Sequence, residues 1–317
     1  MTASVDVRPQ PIPWRRLAGL LRPLWRGTAA MVGLSVAGVL VGLVPPLVLG
    51  VLVNALVERN DRREAALLAV LIALAIACEA ALFIASDGMY ARNAGRLYRN
   101  LRLSMFEGAL VCARRGEETG GVPSRFISDA ETLERATLSI LDTGSMLGVE
   151  FVSALVALGT LEPWTLPVAA PVLAGTWIVT RRMQEPAAAA GQRRQEELET
   201  MTRSLVEELD RNDDPGTVSR FRVAAERLLG AEVRYGWLQA LNLQGSGGLA
   251  KLGPIAVVVA AAFAGGHHAG TLISIYLLAQ RAFWGFDGVV DLSLGTQSVR
   301  GAVARCFELV DAAVSGR

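Results

Sequence analysis

The sequence predicts an all-α membrane protein with six transmembrane helices and long cytoplasmic helical extensions. Three stretches of the 317-residue chain carry no charged side chain, at residues 27–57, 163–180 and 252–280. Each approaches or exceeds the roughly 20 apolar residues that a membrane-spanning helix requires. Hydrophobic residues make up 52% of the chain and charged residues 19%, against about 45–50% and about 25% in soluble domains. This composition and its distribution exclude a soluble globular enzyme.

Two apolar regions are long enough to hold a helical hairpin each. Region 151–180 is interrupted by Glu162-Pro163-Trp164, and region 252–280 by G-G-H-H-A-G at 265–270. Each is too long for one ordinary span at about 1.5 Å of rise per residue, and each has a turn signal near its middle. Six spans follow, near residues 28–55, 65–86, 141–161, 164–183, 239–266 and 270–292.

Glycine and proline also occur inside two of the predicted spans. Pro45 and Pro46 lie within the first span, and three glycines between residues 245 and 248 precede Pro254 in the fifth. Either group predicts a break or bend, because proline removes a backbone donor and glycine weakens a helix. The sequence leaves open whether such a bend serves gating or is a passive kink.

The N-terminal residues are expected at the membrane surface. Within residues 11–26, leucines alternate with arginines between Trp14 and Trp25, a pattern typical of the headgroup region. We expect a short interfacial helix that Pro23 bends into the first span. The predicted organisation is an N-terminal interfacial segment at 1–27, a six-helix transmembrane domain at 28–295 and a C-terminal cytoplasmic helix at 296–317.

The distribution of arginine predicts the orientation in the membrane. Arginines are frequent in every connection on one side of the predicted bundle, whereas the other side has only Arg59, Arg62 and Arg63. Because positively charged connections remain in the cytoplasm, both termini are expected there. Segments 88–112 and 191–210 have a helical pattern, so the spans should continue past the bilayer as long helices.

Several functions lack the residues they need. Lys251 is the only lysine and stands in L-A-K-L-G, whereas a P-loop needs G-K-S/T to hold phosphates. A net charge of +1 gives no electrostatic basis for binding nucleic acid. His267 and His268 lack the roughly four ligands of a zinc site and are expected in a solvated turn. We expect no catalytic residue, metal or cofactor in this chain.

Four ionisable side chains are expected near the middle of the bilayer, where a charge is costly and usually faces a bundle interior or a water-filled cavity. They are Glu79, Glu150, Lys251 and Arg281. We expect them to line a polar substrate path, with Asp287 and Asp291 near its cytoplasmic mouth. The alternative is internal charge pairing, for instance Glu150 with Lys251, that only fixes helix packing.

The six spans, the interfacial N-terminal helix and two long cytoplasmic helical hairpins resemble the transmembrane domain of ATP-binding cassette (ABC) exporters. The most specific local match is G-G-V-P-S-R-F-I-S-D at 120–129, which resembles the family's first coupling-helix segment. The Glu pair at 207–208 with F-R-V-A-A-E at 221–226 is also similar to the family. Residues 297–310 resemble the helix that leads into the nucleotide-binding domain in fused members.

The resemblance implies residues that couple the chain to an ATPase. They are Gly121, Ser124, Arg125 and Asp129 in the first coupling segment, and Asp213 and Asp214 in the second coupling region. Arg125 and Asp129 are four residues apart, so they either dock on a partner or form an ordinary solvated pair. Segment 113–119 lacks the family's aromatic pair, and R-N-D-D-P-G at 211–216 would break a helix. Either the coupling surface is adapted to an unusual ATPase, or coupling has been lost.

The resemblance also implies a function. The chain would be the membrane-spanning subunit of an exporter that moves an amphipathic peptide, lipid or small metabolite, with ATP and Mg²⁺ bound by a separate ATPase subunit. A second transmembrane subunit, identical or different, would complete the transporter in the plasma or inner membrane of a bacterium. The alternative is a non-transporting membrane scaffold or assisting subunit for a biosynthetic enzyme assembly.

Overall fold

A computed structural model describes most of the chain. The described residues are 19, 21–115, 130–210, 217–265 and 267–298, with positions 303, 306, 307 and 311. Helix accounts for nearly all of these residues, and no strand occurs among them. The predicted all-α fold class is therefore confirmed.

The described residues form seven α-helices after one turn of 3-10 helix at Arg22–Leu24. They are α1 (Trp25–Val41), α2 (Val44–Val57), α3 (Arg62–Arg114), α4 (Ala130–Leu161), α5 (Thr165–Asp210), α6 (Thr217–Ala264) and α7 (Ala269–Ser298). Because α1 and α2 are the two halves of the first predicted span, the helices supply six units that correspond to the six predicted spans. Most of the predicted interfacial helix at 11–26 and of the C-terminal helix at 296–317 lies outside the described residues.

Four of the six units are long and apolar enough to cross a membrane by length and composition alone. They are the first span, α3, α4 and α6. The predicted spans in α5 and α7 are less apolar, since Arg181, Arg182 and Arg281 interrupt them. Large apolar side chains point away from the bundle, for example Leu67 at 67% and Ile84 at 72% exposure, as expected for a surface in contact with lipid.

The two ends of the bundle differ. At one end, which we call the short-turn end, residues 58–61, 162–164 and 265–268 join successive helices, so the two predicted hairpin turns are confirmed. At the other, the long-helix end, α3 continues to Arg114. With 53 residues, α3 is about 80 Å long, against about 30 Å for the hydrocarbon core of a bilayer. The predicted helical extensions are therefore present.

The two glycine- and proline-containing spans behave differently. The first span breaks at Gly42–Leu43, just before Pro45 and Pro46, as predicted. The predicted break in the fifth span is wrong, because α6 is continuous through residues 245–248 and Pro254. The reason lies in packing, since the ring of Phe283 on α7 lies directly against Gly253 of α6, and helices on both sides support α6.

Neighbouring helices define the interior. α5 and α6 form an antiparallel pair, α4 packs mainly on α7, and α2 lies between α3 and α7, while α1 contacts α3 and α4. The largest buried cluster of the described residues joins α4, α5, α6 and α7. Its fully buried members include Leu158, Val257, Ile275, Leu278 and Phe283. This packing places the first span, α3, α4 and α7 around one shared interior.

Candidate functional site in the membrane

Three of the predicted path residues meet in the middle of the bundle. Arg281 on α7 extends one guanidinium nitrogen, Nη2, to Oε1 of Glu79 on α3 at 3.4 Å. Its other nitrogen, Nη1, lies 3.9 Å from Oε1 of Glu150 on α4. The three side chains are only 20–25% exposed. We call these three residues the central cluster; Glu150 therefore faces Arg281, not Lys251 as the packing alternative suggested.

The break in the first span lies against the central cluster. A side chain at Gly42 would collide with the Glu79 carboxylate and would come within 2.7 Å of Nη1 of Arg281. Pro45 and Pro46 have no backbone N–H, so the carbonyls of Val41 and Gly42 lose their usual helical donors. Interrupted backbone at membrane depth occurs where it is buried in protein or lines a water-filled cavity. The break therefore places backbone carbonyls without helical donors next to the charged side chains of the central cluster.

The other predicted path residues lie on α6 and α7 towards the long-helix end. Asp287 and Asp291 are half-buried and share one face of α7, about 9 and 15 Å along the helix from Arg281. Asp287 faces Ser246 and Lys251 of α6, and its Oδ1 is buried without a hydrogen-bond partner. Lys251 is exposed. The six path residues therefore form two connected groups rather than one.

A hydrogen-bonded layer that the sequence did not predict lies on the long-helix side of the central cluster. The hydroxyl of Ser35 on α1 donates to Oδ1 of Asp142 on α4 at 2.7 Å. The Ser35 and Ser86 hydroxyls are also 2.7 Å apart, and Ser86 donates to the Met31 carbonyl at 3.1 Å. Both serines are buried. The depth rule that selected Glu79 did not select Asp142, because Asp142 lies at the boundary of the third predicted span, 141–161.

Polar contacts also join the helices at the short-turn end. The backbone N–H of Gly270 donates to Oδ1 of Asn54 at 2.9 Å, and the hydroxyl of Ser274 donates to the Pro46 carbonyl at 2.7 Å. Gly50 and Gly270 touch so closely that neither has room for a side chain. These contacts fix the end of the first span against the start of α7.

The two histidines of the last turn were predicted to lie in a solvated turn, and in the structure each of them also pairs with a carboxylate. Nε2 of His267 lies 3.1 Å from Oε2 of Glu162, with both side chains about 15% exposed at 16% and 14%. Nδ1 of His268 lies 2.8 Å from Oε1 of Glu58, with 64% and 37% exposure. His268 is thus largely exposed, as expected for a solvated turn, whereas His267 is mostly shielded beside a carboxylate from a turn distant in sequence. Within the described residues, no group of three or more His, Cys, Asp or Glu is placed to hold a metal ion.

The predicted partner-coupling residues lie outside the described residues. They are Gly121, Ser124, Arg125, Asp129, Asp213 and Asp214. The ends of the flanking helices nevertheless show at which end of the bundle these segments join them. α3 ends at Arg114 and α4 begins at Ala130, while α5 ends at Asp210 and α6 begins at Thr217. Both connections are therefore at the long-helix end.

Fold and site define an integral membrane protein, a six-helix bundle with polar residues along its interior and helices that extend beyond the bilayer at one end. The family model for the ABC transporter transmembrane region matches residues 28–210, more than half of the chain. The chain belongs to this family, whose members are membrane-embedded parts of transporters that normally pair with ATPase domains. No curated protein matches the chain significantly.

Proposed function

We propose that the chain is the membrane-spanning subunit of an ABC-type exporter whose ATPase is a separate polypeptide. The observation that carries this proposal is the central cluster: a cation and two carboxylates, only 20–25% exposed, brought together at membrane depth by three helices. Charges there are costly and mark substrate or ion pathways more often than structural positions.

Further polar residues continue along the bundle from the central cluster towards the long-helix end. Ser35 precedes Gly42 by seven residues and Ser86 follows Glu79 by seven, which corresponds to about 10 Å along each helix. Asp142 precedes Glu150 by eight residues. Ser35, Ser86 and Asp142, which we call the serine layer, therefore lie at a similar distance from the central cluster. Together with Asp287 and Asp291, these layers form a polar route from the middle of the bilayer to the long-helix end.

The route is only half enclosed by one chain. Glu79, Glu150 and Arg281 each keep about a fifth or more of their surface exposed, at 20%, 20% and 25%. Because charged groups do not face lipid hydrocarbon, a second transmembrane subunit, identical or different, is proposed to cover this side. Two such halves would enclose a cavity that opens alternately to each side of the membrane.

ATP hydrolysis is assigned to the partner, with ATP and Mg²⁺ bound there, and no metal, cofactor or catalytic residue is assigned to this chain. The only lysine, Lys251, is inside a membrane-spanning helix and outside any P-loop motif. The partner would dock at the long-helix end, where both predicted coupling segments connect helices. This end is proposed to face the cytoplasm of a bacterium, with the cargo an amphipathic peptide, lipid or small metabolite.

Co-purification tests the proposal. The full chain is isolated from its native membrane in mild detergent, and bound polypeptides are identified by mass spectrometry. We expect a P-loop ATPase subunit, and we expect R125E to reduce its recovery by more than about tenfold, the loss that about 1.4 kcal/mol of binding energy gives. The matched control R99E changes an exposed arginine of α3 at the same end of the bundle and should retain the ATPase. Recovery of biosynthetic enzymes without an ATPase would overturn the transport function and favour the scaffold.

A further inference from the structure

Two histidine–carboxylate pairs connect all three turns of the short-turn end. His267 joins the last turn to Glu162 in the middle one, and His268 joins it to Glu58 in the first. We call these four residues the histidine latch. The less exposed pair is His267 with Glu162, and His268, the next residue of the last turn, faces Glu58 across the boundary between the first span and α7.

The latch lies beside contacts that do not depend on charge. Asn54 with Gly270 and Ser274 with the Pro46 carbonyl are hydrogen bonds of neutral groups. Any movement that separates the first span from α7 at this end has to break both of them and the pair of His268 with Glu58. The latch therefore adds a charge-dependent contribution to a closure that is otherwise independent of pH.

We propose that the histidine latch makes closure of the short-turn end dependent on pH, with the closed state favoured as the pH falls. A charged imidazolium forms a stronger hydrogen bond with a carboxylate than a neutral imidazole does. Imidazole in water gains its proton near about pH 6.5, and a glutamate carboxylate loses its charge only near about pH 4.3. The latch is thus strengthened when its imidazoles gain a proton and weakened when they lose it.

Other charged groups lie on the elements next to the latch. The described charged groups of the neighbouring elements are Arg59 at the end of α2 and Asp61, Arg62, Arg63 and Glu64 at the start of α3. Arg59 pairs with Glu64 at 3.4 Å, and Asp61 accepts the backbone N–H groups of Arg63 and Glu64. Because the four side chains of the two pairs keep between 14% and 64% of their surface exposed, we expect a change of about threefold per pair in the ratio of closed to open molecules.

The sidedness of this effect rests on the proposed function. If the short-turn end faces the exterior, acidification outside the cell holds the outer opening closed. The latch itself does not depend on cargo or on an ATPase. A test on the isolated full chain can therefore fail while the proposed function stands, and the co-purification can fail while the latch stands.

Distance measurement by pulsed electron paramagnetic resonance tests the latch. Spin labels are placed at L67C on α3 and F263C on α6, both exposed near the short-turn end at 67% and 87%. The three native cysteines are first replaced by alanine, and the full chain is placed in lipid nanodiscs. We expect the short-distance population to grow as the pH falls from about 8 to about 5.5.

Substitutions assign the response to the latch. The H267Q/H268Q variant should keep the high-pH distribution at both pH values, and E58Q/E162Q, which removes the partner charges, should do the same. The matched control R59Q/E64Q removes a neighbouring exposed ion pair and should retain the native response. A native chain with one distribution at both pH values, an unchanged response in the histidine variant, or an equal loss in the control would each overturn the proposal.

Discussion

The middle and the short-turn end of the bundle both attach α7 to its neighbours, but by different means: α7 meets α3 and α4 in the middle and the first span at the short-turn end. At the short-turn end the contacts are short: hydrogen bonds of 2.7 and 2.9 Å and direct contact of Gly50 with Gly270. In the central cluster, Arg281 is 3.4 and 3.9 Å from its two carboxylates. Optimal charge-assisted hydrogen bonds are about 2.7–2.9 Å.

This difference indicates separate roles for the two regions. The short-turn end is closed by close packing and directional bonds, which are lost abruptly when the helices separate. The central cluster is held by longer-range attraction between groups that remain partly accessible, so under the proposed function Arg281 would exchange one carboxylate for another or for cargo without a large loss. The first region is suited to closure and the second to a change of partners.

Filling the glycine contact should break the short-turn end and gives the largest expected effect. In G270V the new side chain would meet the Gly50 carbonyl and Oδ1 of Asn54, the latter at 2.5 Å for the first added carbon. Because one obstacle is backbone, we expect a loss of about 3 kcal/mol of stability, seen as a lower thermal unfolding midpoint in mild detergent.

A glycine with open space around it provides the control. Nothing lies within 4 Å of a side chain added at Gly88 in α3. G88A should leave the midpoint unchanged or raise it slightly, by up to about 1 kcal/mol of helix propensity. Equal losses in G88A and G270V would show that the close contact at the short-turn end does not contribute to stability.

Removing the cation should break the central cluster with the second-largest effect. R281Q leaves Glu79 and Glu150 close together without their counter-charge. Both carboxylates keep 20% of their surface accessible. We therefore expect the free energy of unfolding to fall by about 2 kcal/mol, which is less than the loss of about 3–5 kcal/mol found when a fully buried pair is broken. Thermal unfolding in mild detergent measures this loss.

A neutral version of the cluster separates packing from transport. E79Q/E150Q/R281Q removes all three charges together, and we expect the unfolding midpoint to return close to that of the native chain. Cargo-dependent ATPase activity of the complex with its partner should nevertheless remain lost. Recovery of activity together with stability would mean that the charges only fix helix packing.

The serine layer should show a smaller effect than the central cluster. D142N keeps the shape of the side chain but replaces the charged acceptor of the 2.7 Å hydrogen bond from Ser35 with a neutral one. We expect a loss of about 1 kcal/mol, measured as a small decrease of the unfolding midpoint. A loss as large as that of R281Q would contradict the expectation that the central cluster contributes more to stability than the serine layer.

The smallest effect on stability is expected at the exposed start of α3, where Asp61 caps the helix. Asp61 accepts two backbone N–H groups at 3.0 Å at the start of α3. D61A should cost about 0.5–1 kcal/mol of stability and should leave the separation of the helices unchanged. A change in the L67C–F263C distances in this variant would mean that the turn, and not the helix contacts, controls closure.

The spans and turns could be predicted from sequence because they depend on local properties. Apolar length locates the helices, and Glu162-Pro163-Trp164 marks a turn wherever it occurs. The six path residues were named for the same reason, since a charge in an apolar stretch stands out. Their grouping could not be predicted, because it depends on how each helix is rotated against its neighbours.

Pairing across distant turns and buried hydroxyls were missed for related physical reasons. Nothing near His268 identifies Glu58, which lies 210 residues away. Serine in a helix commonly bonds the carbonyl one turn before it, as Ser246 does with Asn242, so Ser35 gave no signal of an interhelical bond. The glycines between residues 245 and 248 and Pro254 did not break α6, and Gly253, which the sequence did not single out, admits the ring of Phe283.

The accessibility of position 150 tests most directly whether the central cluster lies on an alternating path. E150C, in a chain without its three native cysteines, is co-expressed with the partner ATPase and exposed to a membrane-impermeant thiol reagent from either side. We predict labelling from the long-helix side without ATP and from the short-turn side when ATP is trapped. A cysteine that reacts from neither side in either state would contradict the account.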